Sequence, residues 1–195
     1  MSELEWVAAG LGVINVWLVV RRSVWNYPFG LAMVALYFFV FFGARLYSDA
    51  LLQIFFFIVQ LYGWVNWVKA RNAAGEVPVG VLSWGARGGW IVGTIVASLA
   101  WGLAMARYTN AAAPLIDAFV AGASISAQIL MARRLLENWM LWILVDAVAI
   151  GLYFSRDLRA TAALYLLFLI LSIIGLVDWR RALKVARAAP AATFT

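Results

Sequence analysis

Seven apolar runs, each about as long as a bilayer core is thick, occupy most of this chain. They lie at roughly 4–20, 24–42, 50–68, 89–107, 112–132, 139–155 and 159–178. A helix crosses the hydrocarbon core with about 20 predominantly apolar residues. In lipid every backbone N–H and C=O has to be satisfied within the segment, so runs of this length must be helices. Each run is bounded by charge or turn residues: Arg21-Arg22, Gly43-Ala44-Arg45, Lys69 to Arg87, Arg107 to Asn110, Arg133-Arg134 and Arg156-Asp157. No stretch is left for a soluble domain, and the expected fold is one all-α membrane domain over 1–195 with seven transmembrane helices. The charged fraction of 12%, against about 25% in soluble domains, points the same way.

The chain contains neither cysteine nor histidine. That excludes disulfides, zinc sites, heme ligation and every nucleophile–histidine arrangement. No phosphate-binding loop or ATP motif is present, which argues against an active pump, and no cofactor or metal is expected. The net charge of +6 does not imply nucleic acid, because the basic residues sit in short loops, where membrane topology puts them. Glu3 and Glu5 precede the first run, where a cleavable leader would carry positive charge, so none is expected. The longest loop, 69–88, holds Asn72, Gly75, Pro78 and Gly80 and reads as a linker. The tail from about 188 to 195 reads as disordered.

Lysine and arginine positions give the orientation. Arg21, Arg22, Lys69, Arg71, Arg87, Arg133, Arg134, Arg180, Arg181, Lys184 and Arg187 fall on one side, and only Arg45, Arg107, Arg156 and Arg159 on the other. The expectation is an outside N-terminus and a cytoplasmic C-terminus in a bacterial inner membrane, with lipid as the surrounding partner.

A shift of 112 residues brings two stretches into register without gaps. Arg21-Arg22 falls on Arg133-Arg134, Asn26 on Asn138, Phe56 on Phe168, Gly63 on Gly175 and Trp67 on Trp179. The Asn, Gly and Trp matches in one register are hard to obtain from biased composition alone. The spacing predicts two three-helix repeats, about 4–69 and about 112–181, joined by a linker helix at about 89–107. One helix between two sets of three leaves both repeats in the same orientation. Parallel repeats are a transporter architecture with the solute site at the repeat interface near the midplane.

Two helical stripes carry the chemistry. In span 6, Trp139, Trp142, Asp146 and Tyr153 recur at helical spacing. A carboxyl group at mid-bilayer costs several kcal/mol unless it faces a cavity or a partner, and aromatic faces beside one acid suit a flat or cationic solute. A structural hydrogen bond between helices is the other reading of Asp146, and an interfacial belt position the other reading of Trp139. In span 3, Gln53, Phe57, Gln60, Trp64 and Trp67 form a second stripe. The amides can bond a hydroxylated or heteroaromatic solute or join helices. Trp67, beside Lys69, reads as interfacial. Asn138 and its counterpart Asn26 start their spans, where helix capping and solute contact both fit. Asn15 and Gln128 read as packing residues.

At LLQIFFFIVQLYGWVNW (51–67) and ENWMLWILVDAVAIGLYF (137–154) the chain resembles the PnuC family of vitamin transporters. The likeness runs over nearly the whole length, and its YGWxxW and ENWxxW stretches are fairly specific. The resemblance implies a 3+1+3 arrangement similar to that of the SWEET sugar transporters, a homotrimer, and facilitated diffusion in which a cytoplasmic vitamin kinase traps the imported solute by phosphorylation. It implies nicotinamide riboside as the solute, with thiamine or riboflavin next, and it carries the binding role onto Trp142, Asp146, Gln53, Gln60 and Trp64. The chain departs from the nicotinamide riboside pattern at Asp146 and Gln60, where that pattern has Asn, and at Ile174-Gly175, where it has Asn-Gly. Those departures bear on the substrate and leave the family in place. A SWEET-type sugar carrier is the rival transport reading, and a membrane-embedded enzyme using Asp146 the rival from another class.

Overall fold

The computed structural model describes residues 3–43, 47–73, 75–109, 113–155 and 159–188. Seven helices account for nearly all of them: α1 (Glu3–Val20), α2 (Asn26–Gly43), α3 (Tyr47–Ala70), α4 (Trp84–Tyr108), α5 (Pro114–Ala132), α6 (Glu137–Ser155) and α7 (Arg159–Ala188). All seven are long and apolar enough to cross a membrane. Arg45, Asn110, Arg156, Asp157 and the tail beyond Ala188 lie outside the described residues.

Six helices close into a ring. α1 packs on α2, α2 on α3, α3 on α5, α5 on α6, α6 on α7, and α7 returns to α1. Among the described residues, the backbones of helices on opposite sides of the ring stay apart, and contact across it comes from side chains such as Trp67 of α3 and Trp179 of α7. α4 stands outside, against α5 alone, where Thr94 and Ser126 share a 2.7 Å hydrogen bond.

Two helix boundaries differ by five residues or more from the hydropathy reading. α7 runs ten residues past the expected end at 178, because Arg180, Arg181, Ala182, Leu183 and Lys184 are strong helix formers although they are too polar to count as a span. α4 starts at Trp84 rather than 89. Arg87 looked like a loop residue by charge, but it lies in the first turns of α4 with its guanidinium on Glu137 (Nη2–Oε1 2.8 Å, Nε–Oε1 2.9 Å).

The loop that links α3 to α4 is fastened across one end of the ring. Gly80 exchanges backbone hydrogen bonds with the α5–α6 turn (Gly80 N to Arg134 O and Leu136 N to Gly80 O, both 2.9 Å). Leu82 N–H donates to Glu137 Oε1 at 3.1 Å. Arg22 and Arg134 donate to the carbonyls of Val77 and Pro78 at 3.4 and 3.5 Å, and Val77 is buried.

The same local geometry occurs twice, 112 residues apart. Arg22 (φ 53°) and Arg134 (φ 63°) are the non-glycine residues with positive φ among those described. Each holds a left-handed turn that costs an L-residue roughly 1–2 kcal/mol and reverses the chain between two antiparallel helices. Arg22 N donates to Val19 O at 2.9 Å, and Arg134 N to Met131 O at 2.8 Å. Asn26 Nδ2 donates to Ser23 O, and Asn138 Nδ2 to Leu135 O, both at 2.6 Å. Trp67 Nε1 reaches Met131 O at 3.1 Å, and Trp179 Nε1 reaches Val19 O at 3.2 Å.

Those tryptophans plug the ring at its basic end. Tyr27 meets Trp67 edge-on (5.5 Å, 89°) and Trp139 meets Trp179 in the same way (5.5 Å, 90°). Trp67 and Trp179 meet each other at 5.9 Å. Gly63 and Gly175 make room, since a β-carbon would lie 2.6 Å from the Tyr27 hydroxyl in one and 2.5 Å from the Trp139 ring in the other. Trp67 is fully buried, so its reading as an interfacial residue is corrected. Proximity to Lys69 marked the end of the span, but the side chain turns inward to satisfy its indole N–H on α5.

Candidate functional site

Beyond the plug, toward the membrane middle, the ring carries polar groups. Asp146 is one helical turn past Trp142 and two past Trp139 on α6, and it is 3% exposed. Its register against α7 is set by Trp139 lying on Gly175, which brings Ser172 alongside. Ser172 Oγ donates to Asp146 Oδ2 at 3.1 Å. One hydroxyl is thin support for a carboxyl group inside a membrane protein, so Asp146 retains acceptor capacity. No group of His, Cys, Asp and Glu able to hold a metal gathers among the described residues.

Gln60 on α3 lies 112 residues before Ser172, the offset that relates the two turns. It is 4% exposed, and its Oε1 lies against Gly30 of α2, beside Asn15 Nδ2. That oxygen is buried without a partner, a state that costs about 1–3 kcal/mol. Asn15 is engaged, donating to Asn26 O at 2.7 Å. Trp64, one turn closer to the plug, is half-buried and stacks on Tyr27 (6.3 Å, 9°). Trp142 is half-buried on α6.

On the far side of Asp146 from the plug, Tyr153 lies against Tyr165 of α7 (5.2 Å), which meets Phe168 edge-on (6.0 Å). Gln53 is buried two turns along α3 from Gln60. Phe57 is 38% exposed, at the margin of its stripe. Asn138 is fully buried at the start of α6 with Oδ1 unpartnered, and Asn26 repeats this at the start of α2. Their side chains donate back to the preceding turn and do not accept from the helix N-terminus. Trp139 is 1% exposed, with Nε1 unpartnered. It stands in the plug, away from a lipid-facing belt.

The described geometry brings Asp146 and Ser172 together and holds Gln60, Asn15 and Gly30 in contact, with Trp142 and Trp64 one helical turn from Asp146 and Gln60 on their own helices. Ser172, Asn15 and Tyr165 were not singled out as site residues from the sequence. The 112-residue shift that places position 60 on position 172 is a signal that could have found Ser172. Chemically, the arrangement offers acceptor oxygens and flat faces at mid-depth in a ring closed at one end.

The chain matches the family model described as nicotinamide mononucleotide transporter over residues 2–181. It is 31% identical over 172 residues to the riboflavin/roseoflavin transporter RibM of Streptomyces davaonensis, covering 87% of this chain and 80% of that protein. It is 28% identical over 204 aligned residues to the nicotinamide riboside transporter PnuC of Escherichia coli, covering 92% and 85%. The structure is similar to the crystal structure of the vitamin B3 transporter PnuC, with a TM-score of 0.77 and 28% identity over 93% of this chain and 82% of that one.

Proposed function

Because the chain belongs to the nicotinamide mononucleotide transporter family, and is thus a multi-pass inner-membrane vitamin transporter and not an enzyme, we propose that it carries nicotinamide riboside by facilitated diffusion. The observation that carries this reading is the buried Asp146 carboxyl, bonded by the Ser172 hydroxyl, with Trp142 one helical turn away on the same helix. A pyridinium ring is a flat cation. Trp142 and Trp64 offer it cation–π faces, Asp146 a counter-charge, and Gln60 Oε1 an unpaired acceptor for a ribose hydroxyl. Gln53, Tyr153, Asn138 and Phe57 complete the proposed path. Riboflavin is the second reading, favoured by the 31% identity to a riboflavin transporter; its imide N–H would donate to Asp146. Thiamine, also a cation, is the third solute to test.

The transport cycle we propose rests on two units, α1–α3 and α5–α7, parallel and related by an axis along the membrane normal, with α4 as connector. The paired turns, tryptophan bonds and seams (α1 on α7, α5 on α3) support this. Rocking of the units about the solute would open each end in turn. Net uptake then comes from phosphorylation by a cytoplasmic vitamin kinase, and the carrier works as a homotrimer with its N-terminus outside and its C-terminus in the cytoplasm.

Tryptophan fluorescence of the purified protein, titrated in parallel with nicotinamide riboside, riboflavin and thiamine, tests the reading. Saturable quenching by nicotinamide riboside is expected. Quenching by riboflavin or thiamine alone would reassign the solute, and silence with all three would overturn the site.

A further inference from the structure

The transport path accounts for the inside of the ring. Outside it, a second feature combines charge and apolar surface in a fixed order. A cavity of about 520 Å³ opens at the basic end between α6, α7 and the start of α4. Val81, Leu136, Met140, Val177 and Leu183 form its floor, and Arg180, Arg181, Lys184 and Arg187 of α7 stand around it with Arg87.

These cations differ in how far they are already compensated. Arg87 is spent on Glu137 at 2.8 Å and lies over the Trp84 ring at 4.6 Å. Arg181 has only a long contact, 3.9 Å, to Asp178. Arg180, Lys184 and Arg187 have no ion pair among the described residues. They are exposed, and at spacings of four and three residues they share one stripe of α7. Three unpaired cations within two turns repel one another, and a bound anion would relieve that.

The same stripe changes character toward the membrane middle. Val177, Ile173 and Leu166 continue it, with Ile170 beside it, and they are 41%, 47%, 50% and 48% exposed. Met140 and Leu144 of α6 line the neighbouring edge, each 44% exposed. A groove that is cationic at its mouth and apolar for three further turns fits a molecule with an anionic head and a hydrocarbon tail. Trp84, 83% exposed beside the mouth, is the amphipathic ring that favours the headgroup level.

We propose that this groove is a binding site for an anionic phospholipid, with the phosphate between Arg180, Lys184 and Arg187 and an acyl chain along Val177, Ile173, Met140 and Leu144. Basic pockets between helices at the cytoplasmic face are suited to such headgroups. The polarity order separates this ligand from a soluble phosphate ester, which would have no use for the exposed apolar turns.

The test uses the delipidated full-length protein in neutral detergent. Its thermal midpoint is followed on adding phosphatidylglycerol, phosphatidylcholine, inorganic phosphate or flavin mononucleotide. Phosphatidylglycerol should raise the midpoint and phosphatidylcholine should not. The triple variant Arg180→Gln, Lys184→Gln, Arg187→Gln should lose the shift, with apparent affinity falling on the order of a hundredfold for three cations. Lys69→Gln with Arg71→Gln, exposed cations elsewhere at the basic end, should leave it intact. Native mass spectrometry gives a second readout, since the wild type should retain phosphatidylglycerol and the triple variant should not. An equal response to phosphatidylcholine, or a triple variant that keeps both the shift and the lipid, would overturn the proposal. A shift reproduced by inorganic phosphate or flavin mononucleotide would replace the lipid with a soluble anion. A triple variant that loses trimer mass in detergent would make the groove an interface between copies.

Discussion

Replacing Asp146 by Asn changes one charge and almost no volume. Asp146 is 3% exposed and its described partner is the Ser172 hydroxyl at 3.1 Å. An amide oxygen can accept that same hydrogen bond, so the thermal midpoint should move little. Binding should change according to what the solute is. A cationic ring held about 5 Å from the carboxylate, at an effective dielectric constant of about 20, gains about 3 kcal/mol. Losing that gain weakens Kd on the order of a hundredfold. A neutral solute that donates an N–H would exchange a charge-assisted hydrogen bond for a neutral one, a difference of about 1 kcal/mol and roughly fivefold in Kd. Quenching titrations of wild type and Asp146→Asn with nicotinamide riboside and riboflavin read both numbers from one pair of proteins. A folded variant that binds its vitamin with unchanged Kd would refute the role given to Asp146. A loss near fivefold for nicotinamide riboside would place its ring away from the carboxylate.

Gly175→Ala puts a methyl group 2.5 Å from the Trp139 ring and should cost about 1–3 kcal/mol as overpacking, with Gly63→Ala similar at Tyr27; thermal unfolding in detergent measures both. Arg87→Gln leaves the Glu137 carboxylate, whose side chain is 9% exposed, with the Leu82 N–H alone, so stability should fall by up to about 3 kcal/mol. A second change, Glu137→Gln, should recover most of that loss in the same assay. The chain has no cysteine, so Val185→Cys, at a position 71% exposed near the end of α7, gives a clean topology probe. A membrane-impermeant thiol reagent should label it only after the cells are permeabilised, and labelling in intact cells would reverse the proposed orientation.

The helices were legible because hydrocarbon enforces both their length and their backbone bonding. The ends were not. Arg87 reads as loop by charge and becomes helical only because Glu137, 50 residues on, neutralises it. Asp146 announced itself as a carboxyl in an apolar run, whereas Ser172 did not, since a serine costs little in any helix and acquires meaning only from the residue opposite. Trp67 was misread because tryptophan is common at membrane surfaces. Its burial depends on the Met131 carbonyl and on Trp179, neither of which is near in sequence. The internal register was visible through Arg22, Asn26, Gly63 and Trp67 because those positions shape the turn and the plug. Gly30 and Trp142 fall on each other in that register but differ in size, so the 112-residue likeness stops there.

The α1–α7 seam has a consequence for how the protein is made. The ribosome delivers α1 first and α7 last, yet the Val19 carbonyl waits for an indole 160 residues further along. Until that helix enters the bilayer, five helices stand as an open trough with Trp67 and Trp139 each missing a neighbour. Contacts this distant in sequence form late and leave apolar and polar surfaces uncovered meanwhile. A chain cut short before α7 therefore never becomes a leaky carrier with a weaker grip on its solute. It is an unclosed trough, recognisable as unfinished by any protease that tests for exposed polar groups in the membrane.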